Sequence, residues 1–138
     1  MKRYLLDTNV VSETRKHKPH SAVVAWLTDL RDDQIFLSAV TMGELQAGIE
    51  LTRRHDPEKA SEIERWVDQL EASFQVLPMD TASFREWGRL MHGKSDHLIE
   101  DGMIAATAST HHLILATRNE GDFKHFNVQV LNPFKLGP

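Results

Sequence analysis

Four carboxylates carry the chemical interest of this sequence. Asp7 follows the short apolar run Tyr4-Leu5-Leu6, and Asp122 closes the polar stretch Asn119-Glu120-Gly121-Asp122. Glu44 is the only charged residue between Leu37 and Gly48, in a segment that otherwise reads as packed helix, with no lysine or arginine one turn away. Asp101 shares a helix face with Ile104, Ala105 and Ala108, at i, i+3, i+4 and i+7. That face should pack on a sheet, with Gly102 and the alanines permitting close approach.

Taken singly, Asp7 and Asp122 have ordinary explanations. Asp7-Thr8-Asn9 can make an Asx-turn or cap the next helix, and Asp122 can be a turn residue. Asp101 can be an N-terminal acid favoured by its helix dipole, but that does not explain its place on a buried face. Glu44 is harder to explain, because burying an unpaired charge costs on the order of several kcal/mol. A cation site accounts for all four acids together. With only oxygen ligands available, Mg²⁺ or Mn²⁺ is favoured over zinc. The eight histidines contain no His-Glu-x-x-His pattern, and P-loop, dinucleotide and Gly-x-Ser-x-Gly motifs are missing.

The elements that must position these acids alternate between strand and helix. Tyr4–Leu6, Ile35–Leu37, Val76–Leu77, Leu113–Ala116 and Val128–Leu131 read as five buried strands. Between them lie a helix carrying Val23, Val24, Leu27 and Leu30, and one begun by Ser38 or Thr41 and running to about Arg54. Pro57 opens a third, with the stripe Ile63, Trp66, Val67, Leu70 and Phe74. Asp80 caps a fourth bearing Phe84, Trp87, Gly88 and Met91, and the fifth spans about Leu98 to Thr110. The expected fold is α/β, a three-layer doubly wound parallel sheet of about five strands, forming a single domain over residues 1–138. In such a sheet ligands bind at the carboxyl ends of the strands, which is where Asp7 and Asp122 fall.

Composition sets the remaining bounds. The chain has 138 residues, 41% of them hydrophobic, enough for one packed core. It has no cysteine, which removes disulfides and thiolate chemistry and fits a reducing, cytoplasmic setting. The basic start Met1-Lys2-Arg3 precedes too few apolar residues for a secretory leader, and no run approaches a membrane span. A formal charge of −4 does not hold nucleic acid by bulk electrostatics. Two basic clusters, Arg15-Lys16-His17-Lys18 and Arg53-Arg54-His55, fit solvated helix ends or phosphate steering.

The segments Leu6-Asp7-Thr8-Asn9, Ser38-Ala39-Val40-Thr41-Met42-Gly43-Glu44-Leu45, Glu100 to Ala108 and Ala116 to Phe123 resemble the PIN-domain ribonucleases, with greatest similarity to bacterial toxins of the VapC and FitB type. The likeness runs from about Tyr4 to Phe134 and shows no departure at the four acids. It implies endonucleolytic cleavage of RNA, commonly tRNA or rRNA, with Mg²⁺ or Mn²⁺ held by Asp7, Asp101, Glu44 and Asp122. It further implies a cognate antitoxin, operator DNA bound only through that antitoxin, and a homodimer. Thr117, Asn119 and Ser38 match polar positions of the family as supporting residues. Two other readings remain open on the residues themselves. One is an aspartyl-phosphate phosphohydrolase with Asp7 as nucleophile, a chemistry that also wants a well-placed lysine and a paired acid, an arrangement Lys124 and the separate Asp122 reproduce poorly. The other is a binding module whose acidic pocket holds a partner's arginine.

Overall fold

A computed structural model describes residues 1–137 of the chain. Five parallel strands, β1 (Tyr4–Leu6), β2 (Ile35–Ser38), β3 (Gln75–Leu77), β4 (Ile114–Ala116) and β5 (Val130–Leu131), lie in the order β3-β2-β1-β4-β5. Parallel neighbours need crossovers, and helices supply them. These are α1 (Thr8–Glu13), α2 (Ser21–Thr28), α3 (Ala39–Arg53), α4 (Pro57–Ser73), α5 (Thr81–Leu90), α6 (Ile99–Thr110) and the short α7 (Glu120–Phe123). The expected doubly wound sheet is therefore present.

Strand residues alternate between two apolar layers, as the period of a pleated strand requires. Leu5, Leu77 and Leu115 face one layer with Ile104, Ala105 and Ala108 of α6 and with Phe123 and Phe126. Tyr4, Leu6, Ile35, Leu37 and Ala116 face the other, with Val10, Val11 and Val23 from α1 and α2. A smaller cluster of Ile49, Ala60 and Val67 joins α3 to α4. The strands are short because both faces are covered, so a few fully buried residues suffice.

Local differences from the sequence reading have physical causes. The segment after β1 is not only a turn: Thr8–Glu13 is helical, capped by Asp7, whose side chain accepts from the Thr8 N–H. Ser38 rather than Thr41 caps α3, and the Thr41 N–H donates to it. Val24 lies on the outer side of α2 and is exposed, while Val23 is fully buried. β5 keeps only Val130 and Leu131 of its expected four residues. Gly102 does not serve approach to the sheet. A Cβ there would stand 2.6 Å from Met91 Sδ and 3.3 Å from Trp87 Cδ1, so the missing side chain lets α6 press against α5.

Candidate functional site

The order β3-β2-β1-β4-β5 reverses between β1 and β4, and the acids gather at the carboxyl end of that pair. Asp7 follows β1 immediately. Its N–H donates to the Ala116 carbonyl at 2.9 Å, which fixes the residue at the sheet edge. Its buried side chain accepts three hydrogen bonds: from the Thr8 N–H (2.8 Å), from Asn9 Nδ2 (3.1 Å) and from the Thr117 hydroxyl (2.7 Å). A carboxylate has about four lone-pair sites, so this shell leaves capacity for a further ligand. Burial pushes the Asp7 carboxyl up. The Thr117, Thr8 and Asn9 bonds oppose that shift, and the charge of Asp122 adds to it.

Glu44 projects from α3 on the neighbouring crossover and is half-buried. Thr8 Oγ1 donates to Glu44 Oε1 at 3.0 Å and lies 3.1 Å from Thr41 Oγ1, itself 3.2 Å from the buried Ser38 hydroxyl. A chain of hydroxyls thus ties the start of α1 to the start of α3. Burial raises the Glu44 carboxyl, and repulsion from Glu100, Asp7 and Asp101 raises it further.

Asp101 stands in the first turn of α6, where a helix dipole favours the ionised form. Desolvation nonetheless wins. Burial, with repulsion from Asp7, Asp122 and Glu100, pushes its carboxyl to about 6, against the pull of His97. Asp122 lies on α7 and is exposed, within electrostatic reach of Asp7 and Asp101. The structure therefore brings all four sequence-predicted acids to one mouth, but not all of them inward.

Among the described residues, none of the four acids is ion-paired with a lysine or arginine. Nor are three acidic or imidazole groups gathered closely enough to grip an ion at once. The donor chemistry still fits a hard divalent cation: oxygen groups only, mutually repelling, with raised proton affinity at Asp7, Glu44 and Asp101. Lys124, the lysine nearest to what a phosphohydrolase would want, is exposed and hydrogen-bonds to none of these acids.

Of the supporting residues, Thr117 is fully buried, and its hydroxyl accepts from the Asn119 N–H at 3.0 Å while donating to Asp7. Asn119 contributes that backbone group. Ser38 caps α3. Replacing Thr117 by the isosteric valine leaves Asp7 Oδ2 with Asn9 alone and strips the Asn119 N–H of its acceptor. The expected loss is about 1–3 kcal/mol of stability in denaturant melts with chelator present. Wild-type stability would show that the bond carries nothing.

Two acids escaped the sequence reading. Glu100, beside Asp101, repels both Glu44 and Asp101, and with Glu44 it lines an apolar groove containing Val40, Leu51 and Met103. Its place after Ile99 at a helix start was the available signal. Glu13 is buried at the end of α1, accepting from Lys16 Nζ and the His20 N–H, both at 2.8 Å. Of its partners, Lys16 belongs to the basic cluster that fitted a solvated helix end or phosphate steering, and His20 lies just beyond it.

The family model described as "PIN domain" matches residues 4–128. The chain is 38% identical to Toxin FitB of Neisseria gonorrhoeae, covering 94% of this chain and 97% of that protein. It is 32% identical to VapC ribonuclease Y4jK of Sinorhizobium fredii, covering 95% and 97%. Among solved structures it is similar to that of FitAcB from Neisseria gonorrhoeae, with a TM-score of 0.86 and 36% identity over 96% of this chain and 99% of that one.

Proposed function

This chain belongs to the PIN-domain family, and from that membership we propose that it is the toxin of a toxin–antitoxin pair, a metal-dependent endoribonuclease acting as one domain over residues 1–138. The observation that carries the reading is the set of unpaired, mutually repelling carboxylates around one mouth, with burial raising Asp7, Glu44 and Asp101. The relatives named as FitB toxin and VapC ribonuclease support it.

Asp7 and Asp101 would hold Mg²⁺ or Mn²⁺ directly, with Glu44 and Asp122 completing the set directly or through water. Such an ion supplies Lewis acidity and a lowered water pKa at a phosphodiester. The protein's own residues do the rest. Thr117, Asn9 and the Thr8 N–H fix the Asp7 carboxylate, so that it need not reorganise as charge develops. Thr8 orients Glu44. Glu44, whose carboxyl is raised by burial, is suited to accept a proton from the attacking water.

The partner we propose is a small cognate antitoxin presenting an arginine or lysine to the acids. Operator DNA would be bound through that antitoxin, and the toxin would be a cytoplasmic homodimer. Among the described residues no helix is long and apolar enough to cross a membrane.

Incubation of the purified protein with total tRNA and rRNA tests this. Defined fragments are expected with Mg²⁺ or Mn²⁺ and none with chelator, while expression arrests growth until the partner is supplied. Undiminished cleavage in chelator would overturn the metal reading. Harmless expression with intact RNA would overturn the toxin reading.

A further inference from the structure

Beyond the acids, one cation at the rim is held in an unusual way. Arg118 follows Thr117, and its N–H donates to Asn9 Oδ1 at 3.0 Å, the same asparagine whose Nδ2 holds Asp7. Its main chain is thus two hydrogen bonds from the centre of the site. Its guanidinium sits over the Phe134 ring, with Cζ 4.4 Å from the ring centroid.

The platform is built rather than incidental. Asn132, buried at the end of β5, accepts from the Phe134 N–H at 3.0 Å and donates to the Arg118 carbonyl at 3.3 Å. One buried amide therefore sets both the ring and the cation that rests on it. The imidazole of His20 meets the same ring edge-on at 5.3 Å.

Among the described residues Arg118 makes no ion pair, and its guanidinium donates to no side chain. Glu13, whose carboxylate feels the Arg118 charge, is already engaged by Lys16 and the His20 N–H. Stacking occupies one face of a guanidinium and leaves its N–H edges free. It also spends rotamer freedom before any ligand arrives, which lowers the cost of binding one. A planar fork of donors matches phosphate, and a strand approaching four carboxylates on a chain of net charge −4 needs a cation beside them.

We propose that Arg118, presented by Phe134 and Asn132, binds a backbone phosphate of the RNA strand flanking the cleaved bond. This rests on the ribonuclease reading above.

The test uses a short fluorescent single-stranded RNA of mixed sequence and full-length Asp101→Asn protein with Mg²⁺, so that the probe survives. Affinity is measured against salt for this parent and with Arg118→Gln, Arg118→Lys or Phe134→Leu added, each checked by thermal melting. Arg118→Gln is expected to bind about tenfold more weakly and to flatten the log–log salt dependence by about 0.7, the value of one phosphate contact on a single strand. Arg118→Lys and Phe134→Leu keep the charge, so they should weaken binding while retaining the parental slope. Parental affinity and slope in Arg118→Gln would overturn the proposal and leave the ribonuclease reading standing. A parent that binds no RNA, together with wild type that cleaves none, would remove both.

Discussion

Asp7→Asn and Asp101→Asn proteins will leave RNA intact where the parent cleaves it, a loss of about a thousandfold or more. Both substitutions keep shape and remove charge. At position 7 an amide oxygen can still accept from the Thr8 N–H, and the Thr117 hydroxyl can rotate to accept from the new amide N–H; the Asn9 Nδ2 donor loses its acceptor, a cost of about 1–3 kcal/mol that leaves the fold standing. At position 101 a half-buried carboxyl is replaced by a neutral group that burial prefers. The loss should therefore be catalytic rather than structural. Single-turnover cleavage of the natural target, alongside a melt of each variant, separates the two causes. Full activity in either variant would remove that acid from the reaction.

In chelator, the folded protein is expected to lose stability as pH rises from about 4 to about 6, through Asp101. Its carboxyl titrates near 6 in the folded chain against an ordinary 3.8. Below the lower value the group is protonated in both states and contributes no difference. Above the higher value it is ionised in both, and folding bears the desolvation and the repulsion from Asp7, Asp122 and Glu100. Because the group is partly exposed, solvent screening reduces the effect to about 1 kcal/mol, or a few degrees of melting temperature. Asp101→Asn should lack this decline and melt above wild type at neutral pH without metal. Millimolar Mg²⁺ should raise the wild-type melting temperature by mass action and raise that of the variant much less. Equal Mg²⁺ shifts would mean that Asp101 holds no ion.

The sheet was legible in the sequence because its strands are short apolar runs bounded by turn residues, and the long helices carry stripes wide enough to show their period. The acids were legible for the opposite reason: each sits where an apolar pattern is interrupted. What escaped notice is shorter or more local. Thr8–Glu13 spans fewer than two turns, too few for a periodicity to appear. β5 lost Val128 and Gln129, since edge pairing depends on the strand beside it. Gly102 reads as a small residue on a buried helix, but only the placement of α5 says which neighbour it admits. Glu13 resembled any surface acid until Lys16 and the main chain at His20 closed over it. Asp122 is exposed, because α7 is one turn at the sheet edge rather than a packed helix.

The central position of β1 has a consequence for a chain still on the ribosome. Tyr4, Leu5 and Leu6 pair with Ile35 and Phe36 on one side and with Ile114, Leu115 and Ala116 on the other. The first pairing can form early in translation, but the second waits for residues more than a hundred positions later. A nascent chain holding only β1, β2 and β3 carries Asp7 and Glu44. It lacks Asp101, Asp122 and the Thr117 hydroxyl that steadies Asp7. Pairing over such a separation is also slow once the residues exist. The complete carboxylate set therefore comes together only after most of the chain has been made, so under the proposed ribonuclease function an unfinished polypeptide would be inert beside the RNA that encodes and translates it.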